Sequence, residues 1–260
     1  MAVIYISVIA ALGGFLFGFD TAVISGAVDS IKSVEYGFGL TSGELGFAVA
    51  SVLFGSALGA WYAGVAAMKF GRVRVMLTAA FLFSVSALGS ALAGSLWSFV
   101  VWRFIGGLGV GIAAVIAPAY IAEVAPAHLR GRLGSLQQLA IAIGLFISFV
   151  SNYALSNIAG SPNNELWGGL LAWRWMLLVE LFPAVLYGIM ALKLPESPRY
   201  LVTLGKDKEA ADVLTKYVGE SNPLEKVREI RSSLGNLDDV VSVKKFLPET
   251  ANRELEDMQY

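Results

Sequence analysis

Long apolar runs separated by short polar breaks recur from Ala2 to about residue 195. A helix needs about 20 residues to cross hydrocarbon. The runs that qualify are Ala2–Ala27, Glu44–Ala67, Val73–Ala93, Leu96–Tyr120, Leu133–Ile158 and Trp173–Leu194. In lipid every backbone amide must be paired inside the protein, so a span is a helix or a barrel strand. These runs lack the alternation of barrel strands, and the pattern predicts six helices. The breaks at Met68–Arg72 and Gly94–Ser95 are short enough to make their flanking helices antiparallel neighbours. After Arg199 the chain turns polar. Lys206–Tyr217 and Pro223–Leu234 read as short amphipathic helices. In the second, Leu224, Val227, Ile230 and Leu234 keep near-helical spacing, and Pro223 suits a first turn.

Composition agrees with membrane residence. Hydrophobic residues make up 56% and charged residues 15%, against about 45–50% and about 25% in a soluble domain. A net charge of −1 gives no field for nucleic acid. The chain has no cysteine, so disulfide, thiolate-metal and thiol chemistry are excluded. Its single His128 lies in a basic loop, and neither a metal site nor an enzyme is expected. The run from Ala2 has no basic leader and exceeds a signal core, so it reads as the first span. The missing polar leader suggests a start site placed a little late. Lys69, Arg72 and Arg74, then Arg130 and Arg132, then Lys193, Arg199, Lys206 and Lys208 occupy alternate connections. The other connections hold Lys32 as their clear basic residue. By the positive-inside rule both termini are cytoplasmic. A multi-pass protein of the cytoplasmic membrane is expected, with a six-span bundle over residues 1–195 and a cytoplasmic helical segment over 196–243.

Ionisable residues at membrane depth are costly and mark pathways. Asp20, Arg103 and Glu180 each lie seven residues from the outer end of their span, about 10 Å deep at 1.5 Å per residue. An acid and a base at one level can neutralise each other. Protonation of Asp20 would release Arg103 and bias a two-state bundle; a static salt bridge is the plainer alternative. Gln137 and Gln138, early in the fifth span, suit either sugar hydroxyls or a helix–helix hydrogen bond. Gly14 and Gly18, Gly55 and Gly59, and Gly107 and Gly111 have the spacing that lets helix backbones approach closely.

Ordered segments carry a family resemblance. GFDTAVISGA at Gly18–Ala27, WRFIGGLGVG at Trp102–Gly111, YIAEVAPAHLRGR at Tyr120–Arg132 and LPESPRYL at Leu194–Leu201 resemble signatures of sugar porters in the major facilitator superfamily. Bacterial xylose- and glucose–proton symporters are the nearest type. The resemblance implies the N-terminal half of that fold, a sugar as substrate, protons as the coupling ion and no cofactor. It makes Asp20 and Arg103 a proton-coupling pair with Glu180 as a further acid. Phe17 and Gln138 become sugar contacts. Gly71, Arg72, Glu123, Arg130, Glu196 and Arg199 become a charge network that latches the cytoplasmic gate. Two departures stand out. Met68 follows Gly64 where the family has a loop acid, and Leu145 replaces a frequent second sugar-binding Gln.

The resemblance also implies a missing half, because sugar porters have two six-span halves. KKFLPETANRELEDMQ at Lys244–Gln259 resembles the tail after the twelfth span, so residues 244–260 are expected to be that tail, joined near Val243–Lys244. Substrate sites in such folds lie between the halves. Transport would then need a second half or a second copy alongside the lipid bilayer. A non-transporting membrane subunit or remnant is the competing reading.

Overall fold

The computed structural model describes residues 2–126 and 128–241; the tail expected over 244–260 lies outside the described residues. Its order is α1 (Ala2–Val23), a 3₁₀ turn (Ile24–Gly26), α2 (Val28–Lys32), α3 (Ser42–Phe70), α4 (Arg72–Leu92), α5 (Leu96–Val124) and α6 (Arg130–Ala159). A short antiparallel hairpin follows, β1 (Glu165–Trp167) with β2 (Leu170–Leu171). Next come α7 (Ala172–Leu178), α8 (Leu181–Ala191), α9 (Pro198–Thr203), α10 (Asp207–Val213), a π-turn (Leu214–Val218) and α11 (Pro223–Val241).

Six helical segments are long and apolar enough to cross a membrane: α1 with its 3₁₀ turn, α3, α4, α5, α6, and α7 continuing into α8. The second starts at Ser42 rather than Glu44 because Thr41 forms a capping box. Glu44 N–H donates to Thr41 Oγ1 at 3.3 Å, and Thr41 N–H donates back to the Glu44 carboxylate at 2.9 Å. The sixth runs over Ala172–Ala191 as one span, with its hydrogen-bond ladder interrupted between Leu178 and Leu181 while Val179 and Glu180 keep helical φ and ψ. Pro183 has no N–H for the carbonyl of Val179, and its ring disfavours a straight helix there. The Val179 carbonyl instead accepts from Phe182 N–H at 3.1 Å.

Glycines set the main crossings. A methyl group on Gly55 or Gly59 of α3 would strike the backbone of Phe104 or Leu108. One on Gly107 or Gly111 of α5 would strike Val52 or Ser56. Gly18 of α1 lies on the Ile141 backbone of α6, and Gly144 of α6 on that of Phe15. Side-chain-free contact of this kind gives dispersion and backbone proximity where no hydrophobic drive exists between helices. α4 packs on α5 and α8, and α1 also meets α5.

At one end of the bundle, Phe19, Ile31, Phe99 and Trp173 form an apolar cluster with Phe38. The Phe38 ring meets Trp173 edge-on at 6.3 Å, and Trp173 Nε1–H donates to the Tyr36 carbonyl at 3.2 Å. We call this the aromatic end. The chain divides into two compact units, Met1–Ser197 and Pro198–Tyr260. In the second, Leu201, Val202, Ala210, Leu214 and Val227 form a small core joined by Ile230 and Leu234. Arg231 clasps Asp207 through contacts of 2.5 and 2.6 Å across it.

Candidate functional site

Asp20 lies near the aromatic end of α1, and Arg103 lies two turns into α5, which runs away from that end. The helices bring their charges together. Arg103 Nη1 donates to Asp20 Oδ1 at 2.5 Å, and Nη2 reaches Oδ2 at 3.3 Å and the Asp20 carbonyl at 3.4 Å. Both side chains are buried, at 3% and 1% exposure, so this ion pair is not screened by bulk water. Room for it comes from Gly106, one turn beyond Arg103, where a side chain would press on Ser86 and approach Asp20 Oδ1. Ser86 is held aside by its hydrogen bond to the Trp102 carbonyl at 2.8 Å.

Glu180 joins them from the break in the sixth span. It is buried and interacts electrostatically with both Asp20 and Arg103. Its Oε1 and the Arg103 Nε have no hydrogen-bond partner among the described residues. Two carboxyl groups around one guanidinium leave one negative charge in excess, and a proton is the simplest ion that balances it. Glu180 sits where the ladder between α7 and α8 is interrupted, on backbone that keeps helical φ and ψ. A cavity of about 460 Å³ lies between α1, α2 and α3, lined by Thr21, Val28, Ser42, Leu45 and Val49, and reaches Arg103.

A second polar cluster occupies the opposite end. Arg72 makes a two-pronged contact with Glu123, Nε to Oε2 at 2.9 Å and Nη2 to Oε1 at 2.8 Å. Glu196 caps the start of α4 by accepting from the N–H groups of Arg72 at 2.9 Å and Val73 at 3.3 Å, where a carboxylate also complements the helix dipole. Gly71 makes the turn from α3 to α4 with φ +93° and ψ 164°, a conformation almost confined to glycine. Thus Gly71, Arg72, Glu123 and Glu196 are assembled. Arg130, at the start of α6, is exposed, and Arg199 belongs to the second unit, where it is half-buried on α9.

Of the two sugar-contact candidates, Phe17 is half-buried and Gln138 exposed. It is Gln137 that turns inward, against Gly14 of α1. Sequence reasoning missed three contributors. Ser197 donates its hydroxyl to Glu123 Oε2 at 2.5 Å. Tyr120 ties α5 to the Pro195 carbonyl at 2.8 Å. Arg174 donates to the carbonyls of Ala91 and Ala93 at the end of α4, at 2.7 and 2.9 Å, while lying over Trp173. A conspicuous base within an apolar run was the available signal for Arg174. Among the described residues no His, Cys, Asp and Glu group has the arrangement to hold a metal.

Comparison with known proteins places this geometry. The family model described as "Sugar (and other) transporter" matches residues 6–255. The chain belongs to this sugar transporter family. A Synechocystis sp. protein named "Glucose transport protein" is 52% identical over 233 residues, 89% of this chain and 49% of its own length. The "D-xylose-proton symporter" of Escherichia coli K12 is 38% identical over 252 residues, 88% of this chain and 50% of its own. The partially occluded, inward-open structure of the E. coli xylose transporter XylE superposes with a TM-score of 0.84 at 37% identity, covering 94% of this chain and 62% of that one. The bundle has the fold of the N-terminal half of that major facilitator transporter. The chain spans about half the length of the curated relatives it matches.

Proposed function

We propose that this chain forms the N-terminal half of a proton-coupled sugar transporter of the cytoplasmic membrane, with the Arg72 end in the cytoplasm. The observation that carries this reading is the buried contact of Asp20 with Arg103, joined by Glu180. Such charges inside an apolar bundle are the usual mark of an ion pathway. Asp20 and Glu180 take up the coupling proton. Neutralising either carboxyl weakens its hold on Arg103 and shifts the balance between two arrangements of the bundle. Phe17, half-buried on α1, and Gln138, exposed on α6, offer a ring face and an amide to a pentose or hexose. Gly71, Arg72, Glu123 and Glu196 form the cytoplasmic latch, whose Arg72–Glu123 ion pair breaks and re-forms between states, and Arg130 and Arg199 stay candidates from the sequence alone.

One six-helix half supplies one wall of a site that lies between halves in this class of fold. α3 and α6 carry long exposed apolar faces, among them Leu53, Trp61, Tyr62, Phe146 and Tyr153, which favours a second half or a second copy against them. Uptake of labelled xylose and glucose into vesicles, with this chain alone and with a co-expressed second six-span half, tests the reading. Proton-driven uptake restored by the second half is expected. No uptake in any pairing, with unchanged behaviour of Asp20→Asn, would leave the non-transporting subunit as the better account.

A further inference from the structure

Towards the Arg72 end from Asp20, α1 is flanked by buried polar atoms that this proton reading does not use. Tyr187 of α8 has no exposed surface, and its hydroxyl has no hydrogen-bond partner among the described residues. The hydroxyl lies against Gly13 of α1, as does the methyl group of Ala113 of α5. Glu180 and Tyr187 are seven residues apart, and so are Gly13 and Asp20. Seven residues are two helical turns, about 10 Å along an axis. The two helices therefore meet in register: Glu180 faces Asp20, and Tyr187 faces Gly13 two turns nearer the Arg72 end. Gly13 is what leaves room there, since any side chain would press on the phenol oxygen.

At the same level, Gln137 is buried against Gly14, and two turns further along α1 lies the buried hydroxyl of Ser7; among the described residues neither amide atom nor this hydroxyl has a hydrogen-bond partner. Leaving a buried polar atom unpaired costs about 1–3 kcal/mol. Native proteins relieve that cost with internal water where several polar groups converge, or with a partner gained in another state. A succession of such atoms beside one helix, beginning at a carboxyl, fits a hydrated route better than a set of isolated defects.

We propose that Tyr187 is a second proton-handling residue, and that a path from the Asp20 and Glu180 carboxyls runs along α1 past its hydroxyl towards the Arg72 end. The inference rests on the proton-coupled reading above. The transfer balances without ionising the phenol. A carboxylic O–H breaks and its proton passes to water. The protonated water delivers a proton to the Tyr187 oxygen as that oxygen's own proton leaves to the next water. The charged groups facing this route are Asp20 from α1, Arg103 from α5 and Glu180 from the break before α8. α4, also packed on α8, has no ionisable side chain from Val75 to Leu92.

Infrared difference spectroscopy of the whole chain in lipid vesicles, acidic minus neutral, tests this in wild type, Asp20→Asn and Tyr187→Phe. In wild type a carboxylic-acid band is expected together with a tyrosine ring–oxygen band. The tyrosine band should vanish in Tyr187→Phe, and hydrogen–deuterium exchange of the carboxyl proton should slow about tenfold. A carboxyl band with no tyrosine companion and wild-type exchange in Tyr187→Phe would overturn the proposal. With a co-expressed second half, Tyr187→Phe should keep sugar counterflow and lose about tenfold in proton-driven accumulation. Equal loss of both, as from simple misfolding, counts against the relay. If wild type moves no sugar with any partner, the transporter reading fails, and the infrared arm still decides the role of Tyr187.

Discussion

The guanidinium of Arg103 and the carboxylate of Asp20 are each too costly to bury alone, and together they are nearly neutral. Removing the one cation should therefore hurt more than removing one of its two acids. Arg103→Leu, which leaves Asp20 and Glu180 without a buried cation, is expected to destabilise the bundle by about 3–5 kcal/mol, and Asp20→Ala, which leaves Glu180 beside Arg103, by less. Denaturant titration of the reconstituted chain measures both. Gly71→Ala should cost about 1–3 kcal/mol, because φ near +93° with extended ψ strains any residue with a Cβ. Asp20, Arg103 and Glu180 were legible in the sequence because a charge inside an apolar run is conspicuous. Tyr187 was not, since a tyrosine in an apolar helix carries no mark of whether its hydroxyl is paired. Gln137 and Gln138 illustrate another limit. Adjacent residues point about 100° apart on a helix, and only packing reveals that Gln137 takes the α1-facing side.

Helices were readable wherever a run was long, apolar and closed by a clear break. The interruption inside the sixth span was harder, because apolar residues flank Glu180 on both sides and one proline alone disrupts the ladder. Pro183→Ala should allow α7 and α8 to fuse, giving a slowly exchanging amide at position 183 and stabilising the span by no more than about 3 kcal/mol. Val179 and Glu180 already have helical φ and ψ, so Glu180 should stay beside Asp20 and transport should hold while stability rises. Hydrogen exchange resolved by residue checks the first effect, and uptake with a second half the other. The glycine pairs were visible as spacing, but their partners were not, since nothing in the sequence says which helix lies opposite. Gly107→Val should cost about 1–3 kcal/mol, from overpacking against the Val52 backbone, and loosen α3 from α5.

At the scale of the molecule, an ion cluster near the aromatic end and a polar cluster of Arg72, Glu123 and Glu196 at the other are joined by α1, α4 and α5. This division of labour suits a rigid half that rocks against a partner. The family resemblance was readable because its signatures fall in order along the chain; the partner was not, because the exposed faces of α3 and α6 do not name what covers them. The central claim is that Asp20 carries the transported proton. Sugar-driven pH change in vesicles containing this chain and a second half measures that directly. Wild type should acidify the vesicle interior when sugar enters down its gradient, and Asp20→Asn should exchange sugar without moving protons. An Asp20→Asn protein that couples sugar to protons as wild type does would contradict the account.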